Sequence, residues 1–378
     1  MKYKGLYIID DSRFIESNWG PSTHILKGMK EMGKYFDIQL FVLNHITENK
    51  TRDNNKEKKN RNNNIIIGTL RDLYKILISL RHTIKVYKYL KSHKINFVYE
   101  RSQYLSFSTL VATKLLKIPH FYEKNWVEYA GIKQFYPSLV NSVVKYLEEI
   151  SLRNSTHIFF IGNQNKYYSG LKKNWSIVQN AADINDFNME LIQLKNNSVN
   201  AIEMCFVANL MDHHRFDIFL SALNILISKY DFNQEIHLYL YGRNFDDWLY
   251  KIPSKIKVTY CGSIEKEKLI SKISKHHIGV ISGGPSYSSF MKLYDYAAAK
   301  LIVICPELEN LQSVFKNDCI IYFKNNNAES LAEIIYETIQ NYNVYENYAD
   351  NLYNHVLNNF TWEKIFSEKK MIISSYIK

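Results

Sequence analysis

Two rhythms of apolar and polar positions alternate along the chain. Short, nearly continuous apolar runs occur at Gly5–Ile9, Ile38–Leu43, Phe97–Tyr99, His120–Glu123 and His157–Ile161 in the first half. They recur at Glu203–Ala208, His237–Tyr241, Lys257–Cys261, Ile278–Ile281, Leu301–Ile304 and Cys319–Phe323 in the second. Runs this short, without regular polar alternation, predict strands covered on both faces. Between them, helical periodicity marks Thr23–Met32, Asp72–Leu90, Ser108–Leu116, Phe216–Lys229 and Ala328–Gln340. In Asp72–Leu90 the residues Leu73, Leu77, Leu80, Ile84 and Tyr87 share one face, for which packing into a core is the commoner meaning and membrane docking the alternative. Strand–helix alternation played through twice predicts an α/β protein of two doubly wound, Rossmann-like domains. Such sheets take ligands outside the carboxyl ends of their strands, so a cleft between the two domains is the expected site. The boundary is expected near Phe187–Ala201, where Asn-rich polar residues break the apolar rhythm. Asn49–Asn64, basic and poor in apolar residues, reads as a solvated loop.

The length of 378 residues suits two domains, and 46% hydrophobic residues are enough to fill two cores. The apolar run after Met1-Lys2-Tyr3-Lys4 stops at Asp10-Asp11 and reads as a buried strand, not a secretion signal. No stretch approaches the roughly 18 apolar residues of a spanning helix. Cys205, Cys261, Cys305 and Cys319 lack paired spacing and read as core thiols of a reducing, cytoplasmic compartment. Charge is uneven. The first 180 residues carry 29 Lys and Arg against 14 Asp and Glu, and the other 19 basic and 23 acidic side chains lie beyond. The basic half suits an anionic lipid surface or a phosphorylated substrate. Its cations are scattered and match no nucleic-acid-binding module, so no nucleic-acid partner is expected.

Chemistry concentrates in Ile278–Ile304, IGVISGGPSYSSFMKLYDYAAAKLIVI. A strand runs into Gly283-Gly284-Pro285, a helix is expected to start at Ser288-Ser289, and another strand follows. Small residues let a ligand approach the backbone, and free N–H groups at a helix start attract phosphate. Lys292 adds a cation, and Asp295 is an acceptor for ribose hydroxyls. The segment Lys292-Leu293-Tyr294-Asp295-Tyr296-Ala297-Ala298-Ala299 resembles the donor-binding motif of family-four retaining glycosyltransferases of the GT-B fold. Asp295 stands where the second acid of their paired-acid motif lies, and Tyr287 replaces the first. Other segments follow the family's order. Val178-Gln179-Asn180-Ala181-Ala182-Asp183 resembles the interdomain motif, and Phe206-Val207-Ala208-Asn209-Leu210 the strand that opens the second domain. Leu240-Tyr241-Gly242-Arg243 and Val258-Thr259-Tyr260-Cys261-Gly262 resemble turns whose backbone holds the base, and Phe360-Thr361-Trp362-Glu363 the approach to the last helix. In the first half, Gly20 and His24 lie in a resembling glycine loop, Val98-Tyr99-Glu100-Arg101 resembles a strand end, and Tyr122-Glu123-Lys124-Asn125 resembles the segment where acceptor meets donor.

The resemblance implies an N-terminal acceptor-side domain (1–190), a nucleotide-sugar-binding domain (201–360) and a final helix (361–378) returning to the first domain. It implies donor contacts from Gly20, Arg215, Gly242, Arg243, Gly262, Gly284, Tyr287, Ser288, Ser289, Phe290, Lys292, Leu293 and Asp295. His24, Glu123 and Asn125 are the implied catalytic group. The implied reaction moves a sugar from a UDP- or GDP-linked donor to a saccharide or polyprenyl-linked acceptor, as in capsule or O-antigen synthesis, at the inner membrane face. No cofactor and no metal are expected, since the chain contains no Asp-x-Asp. An inactive scaffold of the same shape and a sugar-nucleotide epimerase are the alternatives.

Overall fold

The computed structural model describes residues 2–12, 15, 20–44, 65–127, 137–187, 201–231 and 233–377. The basic segment 49–64, Asn18 and Trp19 of the glycine loop, and most of the expected boundary at 187–201 lie outside them. The chain forms two compact units. One holds Pro21–Val178 with the first strand and Phe366–Lys378; the other holds Gln179–Ile365.

The first unit runs β1 (Lys4–Asp11), α1 (Gly20–Tyr35), β2 (Asp37–Asn44), α2 (Ile65–His93), β3 (Phe97–Arg101), α3 (Ser108–Leu116), β4 (His120–Lys124), α4 (Asn141–Asn154), β5 (His157–Ile161) and β6 (Trp175–Val178). All sheet pairings are parallel, in the order β2-β1-β3-β4-β5-β6. The second unit runs β7 (Ala201–Asn209), α5 (Phe216–Lys229), β8 (Glu235–Arg243), β9 (Lys257–Gly262), α6 (Lys266–Ile273), β10 (Ile278–Val280), α7 (Met291–Ala298), β11 (Ile302–Pro306), α8 (Glu309–Val314), β12 (Ile321–Phe323), α9 (Ala328–Gln340), α10 (Tyr342–Asn359) and α11 (Trp362–Tyr376), which continues into the first unit's segment. Its sheet is also parallel, in the order β12-β11-β10-β7-β8-β9. The two doubly wound sheets are those expected from the alternation of runs.

Central strands such as β5 and β11 are buried at every position, the natural result of helices on both faces. Edge strands differ. β9 has no buried residue, and β6 only one, which is why β6 leaves no apolar run to read. In the second unit β7 and β10 pair only at Met204 and Cys205 before they diverge. Tyr296 fills the divergence. Its ring lies where a Cβ on Gly279 would stand, 2.6 Å away, and its hydroxyl accepts from the Val207 N–H at 2.9 Å. Tyr296→Phe should therefore cost about 1–3 kcal/mol by orphaning that buried N–H, measurable by urea denaturation; an unchanged midpoint would show that water replaces the hydroxyl.

One expectation is overturned. The face of α2 that carries Leu73, Leu77, Leu80 and Ile84 is exposed, not packed in a core. The helix buries Gly68, Asp72, Ser79, Val86 and Leu90 instead. Val86 and Leu90 join the core with Leu6, Ile8 and Val98, but the first half turns small and polar positions inward. At Gly68 the Pro137 carbonyl lies 2.1 Å from where a Cβ would be, so the close approach of the 137–138 segment selects glycine there.

Candidate active site

In the sheet of the second unit, the strand order reverses between β7 and β10. Connections leaving two neighbouring strands in opposite directions open a crevice at their carboxyl ends. The residues there are Asn209–Arg215 after β7 and Ser282–Phe290 after β10. The two segments touch. The Ser282 hydroxyl donates to the His214 carbonyl at 2.8 Å, and a Cβ on Gly283 would stand 2.5 Å from the Arg215 side chain. Arg215 itself has φ 50°, which turns the chain from this loop into α5.

Lys292, in the first turn of α7, points to this place. Its Nζ lies 5.0 Å from the centre of the Phe206 ring, and no ion pair to it is found among the described residues. Burial pushes its pKa down to about 7. Burial, then Lys292, lowers His213; His214 is pushed down to about 2 by burial, Lys292 and His213. His214 Nδ1 accepts the Met211 N–H at 3.0 Å, so this ring is a neutral imidazole. Three nitrogen-bearing side chains thus crowd one spot, and the Asp212 carboxylate offsets the lowering of His213 only in part. An anion placed there would offset the burial cost of the Lys292 ammonium. α7 starts beside it with no side-chain cap.

The loop before α7 is held rigidly. The backbone N–H of Asn180 donates to Ser289 Oγ at 2.9 Å, and its side-chain amide donates to the Ser289 carbonyl. Asn310 Nδ2 donates to the Ser288 carbonyl and to Gln179 Oε1, both at 3.0 Å, while Gln179 Nε2 donates back to Asn310 Oδ1 at 3.1 Å. The sequence reading missed Asn310, His213 and His214. Their signal is faint, because a buried amide pair and a His-His step have meaning only once the loops meet.

Several expected donor residues sit differently from expectation. The helix starts at Met291, not Ser288-Ser289, because Ser288 closes a turn onto the Pro285 carbonyl. Asp295 is buried and ion-paired with Lys266, so its carboxylate is engaged within the fold. Arg215 is bound by Asp217 at 3.0 Å and by Asn326. Tyr287 and Leu293 are buried. Phe290 packs its ring against Gly284, where a Cβ would be 2.4 Å away. Gly242 has φ 124°, and a Cβ there would meet the Ala208 carbonyl at 1.8 Å; Gly262, φ 68°, faces open space. Arg243 is exposed at the end of β8. Among the described residues no group of three or more His, Cys, Asp or Glu is placed to hold a metal ion.

Residues 222–368 match the family model described as glycosyl transferase-like. The match lies almost wholly within the second unit, and the two parallel sheets have the arrangement of the GT-B fold. Three solved structures share its fold over nearly the whole chain. Sucrose-phosphate synthase from Thermosynechococcus elongatus has a TM-score of 0.71 at 11% identity, covering 99% of both chains. HepE from Anabaena, in complex with UDP and glucose, has 0.70 at 13%, covering 99% of this chain and 100% of that one. The lipopolysaccharide outer core galactosyltransferase WaaB, in its apo form, has 0.68 at 11%, covering 99% and 100%. No curated protein matches the sequence.

The expected catalytic group lies in the first unit, where the strand order reverses between β1 and β3. Gly20 opens α1 and His24 lies one turn in. Arg101, at the end of β3, donates to His24 Nδ1 at 2.5 Å and to Glu123 Oε1 at 2.9 Å. Guanidinium only donates, so His24 is neutral with its proton on Nε2. Glu123 Oε2 accepts from Lys369 of α11 at 2.7 Å and from the Tyr99 hydroxyl. Glu123 and Lys369 are both buried. Burial alone would raise the Glu123 pKa; the cations packed on it outweigh that and hold it below the usual carboxylate range. Expected to meet the acceptor, Glu123 is instead the hub of a buried ion cluster, because α11 covers it with Lys369. Asn125, just past β4, donates its backbone N–H to Ser102 Oγ at 3.3 Å, and its side-chain Nδ2 is buried with no partner among the described residues.

Proposed function

We propose that this protein moves a hexosyl group from a nucleoside-diphosphate sugar to a saccharide or polyprenyl-linked saccharide in surface-polysaccharide synthesis, with retention at the anomeric carbon. The observation that carries the donor side is the Lys292 ammonium, with no ion pair among the described residues, at the β7/β10 reversal beside His213, His214 and the uncapped start of α7. The HepE complex with UDP and glucose supports a UDP-linked donor, and WaaB supports a lipopolysaccharide-type acceptor. Motif resemblance supports retention.

Cleaving the bond between sugar and diphosphate puts negative charge on the departing phosphate. Lys292 and the free N–H groups at the start of α7 would stabilise it as it forms. With Glu123 committed to Lys369 and Arg101, the departing phosphate is left as the base for the acceptor hydroxyl, and Asn125 is left to orient that hydroxyl.

A thermal-shift series with UDP, GDP, CMP and ADP tests the donor side. A ligand at about 100 times its Kd stabilises by about 2.7 kcal/mol, so one nucleotide should raise Tm clearly. Incorporation of labelled sugar from its nucleotide sugar into a saccharide then tests turnover. No shift with any nucleotide would return the chain to the inactive-scaffold reading, and sugar isomerisation without acceptor would make it an epimerase.

A further inference from the structure

The loop that leads into α7 has its carbonyls drawn to one side. Asn310 of α8 holds two of them. Its backbone N–H donates to the Ser286 carbonyl at 3.1 Å, and its Nδ2 donates to the Ser288 carbonyl at 3.0 Å. The side-chain amide of Asn180 holds a third, that of Ser289. Asn310, Gln179 and Asn180 are all buried. Gln179 fixes the sense of the Asn310 amide. Its Nε2 donates to Asn310 Oδ1 at 3.1 Å, and its Oε1 takes the second Nδ2 hydrogen at 3.0 Å. Turning the Asn310 amide over would set Oδ1 against the Ser288 carbonyl, two acceptors facing each other.

The peptide bonds here are trans, so each carbonyl points opposite to the N–H of the next residue. Holding the Ser288 and Ser289 carbonyls toward Asn310 and Asn180 therefore turns the N–H groups of Ser289 and Phe290 the other way. Neither N–H has a partner among the described residues. They run on into the first-turn N–H groups of α7, which no side chain caps, and Lys292 stands in that turn. Successive N–H groups turned to one side make a concavity for an anion. A phosphate there would meet N–H groups whose direction is set from behind, by buried amides that it does not touch.

We propose that Asn310, locked by Gln179 and joined by Asn180, is the positioning residue that aims the Ser289 and Phe290 N–H groups at the terminal phosphate of the donor's diphosphate. Asn310 acts through the backbone and not by contact with the ligand. This role rests on the donor-side reading of the site and names the phosphate that the loop serves.

Calorimetric titration of the full chain with UDP and UMP, and with GDP and GMP, tests it beside urea denaturation. Wild type should bind one diphosphate more tightly than its monophosphate. Asn310→Leu should lose stability and about tenfold or more in affinity for that diphosphate, with monophosphate affinity kept within about twofold. Gln179→Leu/Asn310→Leu replaces both amides by apolar groups, so neither is orphaned and part of the lost stability should return. Its diphosphate affinity should stay low, because the Ser288 carbonyl still lacks its donor. Asn180→Ala leaves the amide pair intact, should show the same selective loss, and carries the test if the leucine variants do not fold. Equal losses for diphosphate and monophosphate, or diphosphate affinity that returns along with stability in the double variant, overturn the proposal and leave Asn310 a packing residue. Unchanged diphosphate affinity in the variants overturns it too, with the donor-side reading intact. Wild type that binds none of these nucleotides defeats the donor-side reading itself, and the role of Asn310 with it.

Discussion

Replacing Lys369 by alanine should destabilise the protein by about 3–5 kcal/mol, the cost of leaving a buried charge short of its partner. Lys369 places its Nζ 2.7 Å from Glu123 and 2.9 Å from the Tyr99 hydroxyl, in a site closed to water. Arg101 alone would then balance a carboxylate that burial already penalises. The acid limb shows the same interaction. A carboxylate whose folded pKa is depressed contributes stability that is present above its unfolded pKa, about 4.3, and is lost as pH falls through the folded value. In wild type that loss is deferred below the usual carboxylate range; in Lys369→Ala the Glu123 pKa rises and acid unfolding begins at higher pH. Adding Glu123→Gln to the alanine variant should recover part of the loss, because the uncompensated charge goes. Urea titrations at neutral and acid pH measure both effects. Equal stability of wild type and Lys369→Ala would show that water reaches the cluster.

Lys292→Met should weaken nucleotide-sugar binding about tenfold to a hundredfold, the worth of a hydrogen bond to a charged group. Folding should not suffer. Burial has pushed the Lys292 pKa down to about 7, so the folded state disfavours its charge, and removing it leaves stability equal or higher. The pH dependence separates this residue from other contacts. A bound diphosphate favours the ammonium and raises its pKa. Below about pH 7 the lysine is already charged and affinity is flat; above it, binding must take up a proton and affinity declines with pH. A nucleotide sugar has no phosphate proton to lose in this range, so the slope belongs to the protein. Calorimetry in buffers of different ionisation enthalpy should find proton uptake near pH 8 for wild type and none for the variant. A wild-type affinity independent of pH from about 6 to about 9, a range that spans the lysine's pKa, would remove Lys292 from the anion site.

The apolar runs by themselves determined the two parallel sheets, because central strands covered on both faces must be apolar throughout; β5 was legible to the residue. The edge strand β6 was not, since one covered position in four leaves no run. The Gly-Gly-Pro turn and Lys292 stood out in the sequence as a candidate phosphate site, because small residues and a cation beside a helix start suit an anion. What Asp295, Arg215 and Glu123 do was decided only in three dimensions. Each is a charged side chain whose role depends on its nearest opposite charge, and Lys266, Asp217 and Lys369 come from elsewhere in the fold or, for Asp217, from a local turn. The sense of α2 was decided there too. Its periodicity shows that one face is apolar, but the fold turned inward the face with Gly68, Asp72 and Ser79, with the 137–138 backbone too close at Gly68 for a side chain, and left the leucines to water.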